Sequence, residues 1–306
     1  MHKVELLVDA KDFDMVKAVV GAGCDSVFIQ NASDNFSNDE LKQMVNYVHE
    51  NNKKIYIGLS KIPHEKDILE NKDRLSIMEK LGVDAVVINE PGMVTMIKKI
   101  APNLQIHLGE EANITNYETA KFWYNEGIKR VVVAKELSTE EIGYIRRETT
   151  LDLDIEVLVH GSMQISHSGR NLLSNFISNK SLNTKHIDNE NKTYSLVEEK
   201  RPGLFFPIME DERGTFLYST EDLCMLEYLP ELVRAGVNSF KIDSNFRDIE
   251  YMSKVVKVYS DAIKKIDEDV QNYNFKNEDL KEILNSSDRN YSTAFYLDNQ
   301  KTEEEN

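Results

Sequence analysis

Several polar residues of this 306-residue chain lie at the end of short apolar runs or just after them, and their side chains could do acid–base or binding chemistry. The predicted catalytic residues are His107, Lys135, Glu136, His160 and Asp243, and the predicted substrate-binding residues are Asn89, Glu90 and Arg170. The two histidines titrate near neutral pH, so they could donate or accept protons. Gln30 and Ser60 occupy equivalent positions after other apolar runs.

These residues also have structural interpretations. His107 fits the role of a buried hydrogen-bonding residue equally well, and Lys135 and Glu136 could form an exposed ion pair. Asp243 could cap the helix that follows it. The sequence leaves both interpretations open at each position.

Arg170 lies in a polar stretch that does not follow the pattern of the rest of the chain. Its guanidinium could hold a carboxylate or a phosphate of a ligand. It could equally be the buried partner of Glu210 or Asp211.

A sequence pattern that occurs four times predicts how the polar residues are positioned. A glycine, a short polar step and a run rich in β-branched residues recur at 22–29, 81–88, 126–133 and 235–242, each after an amphipathic stretch. Glycine just past a helix can adopt the left-handed conformation that ends it. The apolar run is typical of a strand buried on both faces. The repeat therefore predicts a parallel α/β fold.

Four further strands are predicted at 5–8, 54–59, 104–108 and 153–160, which brings the total to eight. Predicted helices lie at 39–50, 67–81, 92–100, 116–126 and 138–147, the last of them starting with a capping-box pattern at Ser138. Eight strands alternating with helices predict a (β/α)8 TIM-like barrel, in which the ends of the strands converge on one site. An open doubly wound sheet is the alternative, but no Gly-rich phosphate loop follows the first strand.

The regular pattern breaks between Gly161 and Pro230. We interpret 161–230 as an insertion after strand seven, over the C-terminal face of a single barrel domain at 1–265. A polar tail follows at 266–306. Its apolar island, Thr293 to Leu297, is expected to dock on the body of the protein.

Composition restricts the function classes. The formal net charge of −16 does not favour nucleic-acid binding, which depends on basic surface. No apolar run approaches the ~20 residues that span a bilayer. The N-terminus enters a strand without a signal-peptide core, so we expect a cytoplasmic protein with no membrane partner.

Metal sites are not predicted. No His-Glu-x-x-His motif occurs, and the histidines lack tight ligand spacing. The two cysteines, Cys24 and Cys224, are too few for a disulfide framework or an iron–sulfur site. We expect both to be small buried hydrophobic residues.

Longer motifs resemble the collagenase-like peptidase family, peptidase family U32. They are HGSMQISHSGRNLLSN at 160–175, YSLVEEKRPG at 194–203, FPI at 206–208, EDERG at 210–214 and FKID at 240–243. The resemblance runs from about Glu5 to Ile263. It implies either peptidase activity or oxygen-independent hydroxylation, since members act on tRNA wobble uridine with prephenate, on ribosomal RNA, or in ubiquinone synthesis.

Hydroxylating members typically hold an iron–sulfur cluster with four cysteines, and this chain departs from them there. Gln164 and Asn171 stand where the first two cysteines are expected, and no cysteine lies between Cys24 and Cys224. The chain is also expected to lack two family arginines, one in the loop after strand two and one at Ser244-Asn245. Their loss weakens the case for an anionic ligand.

The resemblance to short, cluster-free members leads to one main hypothesis. The chain is expected to be a subunit of a prephenate-dependent wobble-uridine 5-hydroxylation system, binding no cofactor itself. Its partner would be a cluster-bearing family paralogue, with tRNA as a further partner and a homo- or hetero-oligomeric state left open. The alternatives are a collagenase-like peptidase, which is a hydrolase, and a non-catalytic scaffolding barrel.

Overall fold

The computed structural model describes residues 3–30, 36–59, 65–179, 194–211, 213–271, 273, 275–284 and 289–297. Two predictions lie outside the described residues: the position of Ser60 at a strand end, and the lack of a family arginine in the loop 31–35 after the second strand. Two compact units are present. The first is Met1–Gly161, Cys224–Ser287 and Thr293–Asn306, and the second is Ser162–Leu223 with Asp288–Ser292.

The first unit is a closed barrel of parallel strands with helices between them, as the sequence predicts. Its strands are β1 Glu5–Asp9, β2 Ser26–Gln30, β3 Lys54–Gly58, β4 Ala85–Ile88, β5 Gln105–Leu108, β6 Arg130–Val132, β7 Asp154–Ser168 up to Gly161, and β11 Ser239–Ile242. Each strand pairs with the next one along the chain, and β11 closes the ring by pairing with both β7 and β1. The open doubly wound alternative is therefore wrong.

The helices of this unit are α1 Phe13–Ala22, α2 Asn38–Glu50, α3 Glu65–Leu81, α4 Pro91–Ile100, α5 Tyr117–Asn125, α6 Thr139–Glu148, α8 Leu229–Arg234, α9 Ile249–Glu268 and α10 Asn277–Leu284. The five predicted helices correspond closely to α2, α3, α4, α5 and α6, whereas α9 and α10 lie outside the predicted helices. Ser138 and Glu141 form the predicted capping box at the start of α6. The glycines of the four repeats all have positive φ, from 82° to 108°, as their helix-ending role requires. Among the described residues, no helix has the length and apolarity needed to cross a membrane.

The second unit is built around a small antiparallel sheet. It contains β7 from Ser162 onward, α7 Leu172–Asn179, β8 Tyr194–Glu198, β9 Arg201–Asp211, β10 Gly214–Cys224 up to Leu223, and β12 Tyr291–Ser292. Here β9 pairs antiparallel with both β8 and β10, and β12 runs parallel to β10. This unit covers most of the predicted insertion. The position predicted for it, over the C-terminal face, stays a prediction.

The chain after α9 is divided between the two units. Arg289 donates to Asp222 of the second unit, at 2.8 Å. Tyr296 of the first unit is buried, and its hydroxyl donates to the carbonyl of Leu158 at 2.8 Å. The expected docking of the apolar island on the body is thus confirmed.

The N-terminal end of the barrel interior holds a buried network centred on Arg130, which we call the floor network. Arg130 is 3 % exposed and donates to Glu5 at 2.8 and 3.1 Å, to Glu156 at 3.2 Å and to Asp154 at 3.1 Å. The hydroxyl of Ser239 donates to Glu156 at 3.0 Å. A buried cation needs such partners, because an unpaired charge away from water is very costly.

Hydrogen bonds and charge hold Glu5 in its ionised form. Burial by itself raises the pKa of a carboxyl, but the hydrogen bonds and positive charge of Arg130 outweigh burial and lower the pKa of Glu5 to about 2. Ser26 and Tyr56 donate further hydrogen bonds to it, at 2.7 and 3.0 Å. Above this network an apolar layer of Leu7, Phe28, Tyr56 and Ala85 fills the barrel.

Candidate functional site at the barrel mouth

The C-terminal end of the barrel interior carries a second group of charged side chains, which we call the mouth cluster. Its members are Asp9, Glu110, Lys135, Lys241 and Asp243. They come from β1, from β11 and the residue after it, and from the segments after β5 and β6. This is the end at which barrel enzymes place their active sites. The cluster contains both acids and bases, so it is suited to proton transfer and to binding a charged ligand.

Asp243 is the only predicted catalytic carboxylate that lies within this cluster. It accepts hydrogen bonds from the backbone N–H of Asn245 at 2.8 Å and from the Asn245 side-chain amide at 2.9 Å. Burial, followed by the negative charge of Asp9, raises the pKa of Asp243 to about 7. Asp243 is therefore a carboxyl poised to exchange a proton near neutral pH.

Gly161 lets the backbone at Asp243 approach β7 closely. Its φ of 111° is a conformation that favours glycine, and a Cβ at this position would lie 2.7 Å from the carbonyl oxygen of Asp243. No side chain fits in that space. Gly161 thus positions Asp243.

Lys241 extends from β11 into the barrel, where its ammonium lies 4.6 Å from the ring centroid of Phe28. Burial lowers the pKa of a lysine, but the negative charges of Glu110, Glu156, Asp9 and Asp243 outweigh burial and raise it. Lys241 is consequently an ammonium group at neutral pH, partly exposed at the mouth.

Lys135, a predicted catalytic residue, forms an ion pair with Glu110 in the same cluster. In the alternative, structural interpretation Lys135 would pair with Glu136, but the side chain of Glu136 is exposed and Lys135 pairs with Glu110. This ion pair joins the segments that follow the adjacent strands β5 and β6.

His107 lies inside the barrel, not at its mouth. It is 4 % exposed, and its ring meets that of Tyr56 edge-on with 4.8 Å between centroids. Burial, and then the positive charge of Arg130, lowers the pKa of His107 well below its ordinary value. A neutral imidazole next to the floor network matches the structural interpretation of this residue.

His160 faces outward from the barrel, against α9. It is fully buried, with Nε2 at 2.7 Å from the Tyr251 hydroxyl and Nδ1 at 3.3 Å from the Tyr259 hydroxyl. The structure therefore does not bring His160 together with the mouth cluster.

The two predicted binding residues after β4 have local partners. The amide of Asn89 donates to Glu111 at 3.3 Å, and its oxygen packs where a Cβ of Gly109 would stand. Glu90 caps α4 by accepting from the N–H of Gly92 at 3.3 Å. Asn89 thus packs beside Gly109, whereas Glu90 is exposed and caps its helix.

Arg170 belongs to the second unit and its side chain is exposed. Glu210 instead accepts from the backbone N–H of Leu173 at 2.8 Å and from the Thr215 hydroxyl at 2.7 Å, so it caps α7. Asp211 pairs with Arg213. The alternative that Arg170 is a buried partner of Glu210 or Asp211 is therefore wrong, because its side chain is exposed and other groups bind those carboxylates.

The donor set does not fit the family's four-thiolate iron–sulfur cluster. Cys24 is fully buried, and burial raises the pKa of its thiol to about 12, so the thiol is protonated at neutral pH. Cys224 lies 3.6 Å from the Tyr259 hydroxyl. Gln164 and Asn171, at the first two cluster positions, are both in the second unit and carry no thiol. Within the described ranges, no group of histidine, cysteine and acidic side chains could hold a metal ion.

Sequence reasoning missed three members of the mouth cluster: Asp9, Glu110 and Lys241. Asp9 follows Val8, the last residue of the first predicted strand, so the rule that found Asp243 would have found it too. Glu110 carries the same signal one residue after Gly109. Lys241 lies within a strand, and only its alternation with buried Phe240 and Ile242 points to an inward side chain.

Comparison with known families gives one family-model match that spans nearly the whole chain. The model of peptidase family U32 matches residues 11–306. Among curated relatives, tRNA hydroxylation protein P2 of Bacillus subtilis is 30 % identical, over 97 % of this chain and 98 % of the relative. An uncharacterized protease of Methanocaldococcus jannaschii is also 30 % identical, over 97 % of this chain and 74 % of the relative.

Solved structures agree on the barrel. A U32 peptidase superposes with a TM-score of 0.50 at 11 % identity, over 79 % of this chain and 93 % of that chain. DHDPS from Cyanidioschyzon merolae superposes with a TM-score of 0.50 at 12 % identity, over 93 % and 81 %. At such identities the likeness concerns the fold alone.

Proposed function

This chain belongs to peptidase family U32, and we propose that it takes part in hydroxylating tRNA, as a subunit of a prephenate-dependent system acting at carbon 5 of the wobble uridine. The observation that carries the proposal is the likeness to tRNA hydroxylation protein P2, which extends over nearly the full length of both chains. A further relative, tRNA hydroxylation protein P1 of the same bacterium, is 28 % identical over 96 % of this chain.

The mouth cluster is the proposed site. Lys241 and Lys135 supply cations there, which suits the carboxylates of prephenate, although both lysines already face acidic side chains. Asp9 and Asp243 supply the acid–base groups. In this proposal each of these four residues acts from the strand end at which it lies.

The donor set of the chain supports the proposal of a partner. A cluster held by four cysteines needs another polypeptide, so we propose a cluster-bearing family paralogue as the partner, with tRNA as the shared substrate and the cytoplasm as the location. Copurification of the tagged chain from its own organism, followed by iron and sulfide analysis of the partner, tests this part.

The central experiment deletes the gene in its own organism and measures 5-hydroxyuridine-type nucleosides in digested tRNA by mass spectrometry. We expect the modification to fall, wild-type chain to restore it, and Asp243→Asn to restore it poorly. Asp14→Asn, in which the replaced side chain is 79 % exposed on α1, is the matched control and should restore it fully. An unchanged level of 5-hydroxyuridine-type nucleosides in the tRNA of the deletion strain would refute the proposal.

Peptidase activity is the second candidate, because the relative from Methanocaldococcus jannaschii is named a protease. Purified chain that cleaves gelatin, and loses this activity with Asp243→Asn but not with Asp14→Asn, would favour it. A scaffolding barrel predicts a different result, namely that Asp243→Asn and Lys241→Met restore tRNA modification as well as wild type.

A further inference from the structure

Asp9 and Asp243 lie side by side on neighbouring strands. β1 and β11 pair in parallel, with Val8 opposite Ile242 as the last registered pair, and each aspartate is the next residue along its strand. Leu7 and Lys241, two residues earlier, both face the barrel interior. Since side chains alternate along a strand, Asp9 and Asp243 face the interior too, on strands about 4.8 Å apart.

Neutral groups donate hydrogen bonds to both carboxyls. The hydroxyl of Ser244 donates to Asp9 at 2.8 Å, and Asn245 donates twice to Asp243. Asp9 is 7 % exposed. These bonds fix the orientation of the carboxyls without cancelling their charge.

Repulsion makes double ionisation unfavourable here. Two unit charges about 5 Å apart repel by roughly 3 kcal/mol at the effective dielectric constant of a protein, about 20. Lys241 and Lys135 both favour the ionised form of Asp243, but Lys241 also faces Glu110 and Glu156, and Lys135 forms an ion pair with Glu110. The raised pKa of Asp243 agrees with this balance.

We propose that Asp9 and Asp243 share one proton at neutral pH and form the acid–base pair of the barrel mouth. The ligand class is a neutral group with an acidic O–H, N–H or C–H. Its proton passes to the ionised carboxylate, the pair becomes neutral, and the ligand becomes an anion next to the Lys241 ammonium; the reverse transfer restores both. No electrons are exchanged. The proposal deepens the proposed function, on which it rests for the identity of the ligand.

The test follows the carboxyl signals of the full chain without any ligand. Protein labelled with an isotope at aspartate side-chain carboxyls is titrated between about pH 5 and about pH 9 by infrared and NMR spectroscopy. We expect one protonated aspartyl carboxyl that titrates with a midpoint near 7, a property of the pair rather than of either residue.

Variants assign the signal to the pair. Asp9→Asn removes the neighbouring charge and should lower the midpoint of Asp243, while Asp243→Asn should abolish the signal near neutral pH. Lys241→Met should raise the midpoint, and Asp14→Asn should leave it unchanged. Where an asparagine variant does not fold, Ser244→Ala keeps both carboxyls and should raise the midpoint by removing a donor to the ionised form.

The outcomes separate this proposal from the proposed function. If no aspartyl carboxyl titrates between about pH 5 and about pH 9, or if Asp9→Asn leaves the midpoint in place, the shared proton is refuted even when tRNA modification depends on the gene. If the titration is as expected but the deletion strain keeps its modified tRNA, the proposed function fails and the acid–base pair stands.

Discussion

The two ends of the barrel interior carry the same residue types in opposite arrangements. In the floor network one arginine is surrounded by three carboxylates, all within 3.2 Å of its guanidinium. In the mouth cluster two carboxyls stand side by side, with a lysine facing them. The floor pairs opposite charges, whereas the mouth brings like charges together.

Solvent access separates the two ends as well. Arg130 and Glu156 are each 3 % exposed, while Lys241 and Asp243 are only partly buried. The floor network pairs its buried cation with carboxylates and so fixes the strand ends. The mouth cluster brings two carboxyls together near solvent, an arrangement that costs stability and is typical of functional sites.

Removing the floor cation should give the largest effect. Arg130→Met leaves Glu5, Asp154 and Glu156 without their counter-ion, so we expect a loss of about 3–5 kcal/mol in the free energy of unfolding, measured with urea. Lys98→Met is the control, because Lys98 pairs with Glu126 at 3.6 Å with both side chains about half exposed, and should cost less than about 1 kcal/mol. Equal losses would show that the floor network is no more than a surface ion pair.

The second largest effect should be a difference between the two ends in how stability depends on pH. The folded-state pKa of Glu5 is lowered to about 2, so its contribution of about 3 kcal/mol is present above the unfolded pKa near 4.5 and disappears as the pH falls toward 2. The pKa of Asp243 is raised to about 7, so its effect has the opposite sign, and stability declines as the pH rises from about 4 to 7. Glu5→Gln should flatten the acid side of the stability curve and Asp243→Asn the other side, in urea unfolding across pH. Identical curves of stability against pH for the two variants would show that the two ends of the barrel do not differ in this way.

Substitution of Gly161, which positions Asp243, should give the third largest effect. Gly161→Ala puts a Cβ 2.7 Å from the Asp243 carbonyl at a φ of 111°, which we expect to cost about 2 kcal/mol and to shift the titration of the carboxyl pair. Gly21→Ala is the control: it lies in α1 with no atom within 4 Å of the new Cβ, and should gain about 0.5–1 kcal/mol. If Gly161→Ala behaved like the control, the backbone at Asp243 would have to be free to move.

The mouth cation should matter least for stability. Lys241→Met is expected to cost about 1 kcal/mol or less near pH 6, because the carboxyl pair can bind a proton in place of the lost charge. Near pH 8 the cost should rise, since that proton is then harder to hold. Urea unfolding at both pH values measures this cost. A loss of unfolding free energy as large as that of Arg130→Met would show that the mouth cluster is a structural ion-pair network like the floor network.

Local patterns were enough to predict the barrel. The glycine that ends each helix, the buried run after it and the capping box at Ser138 depend on residues close together in sequence. They specify eight strands and the helices between them, and so they also place Asp243 and Lys135 at the mouth. Asp9 carried the same signal one residue past its predicted strand.

The direction of His160 could not be predicted, because it depends on strand register. Leu158 pairs with inward-facing Lys241, and the register then shifts so that His160 pairs with Ile242. A shift of one residue moves a side chain to the other face of a strand. His160 therefore lies against Tyr251 and Tyr259 of α9 rather than with the mouth cluster.

The sequence by itself determined the barrel, the end of the barrel that carries the candidate site and the lack of cysteines for a cluster on this chain, since these depend on composition and on short-range patterns. The tertiary structure alone decided which charges meet. Glu5 and Arg130 are 125 residues apart, and Asp9 and Ser244 are 235 residues apart. Closure of the barrel by β11 on β1 makes them neighbours, and the pKa of each group follows from that neighbourhood.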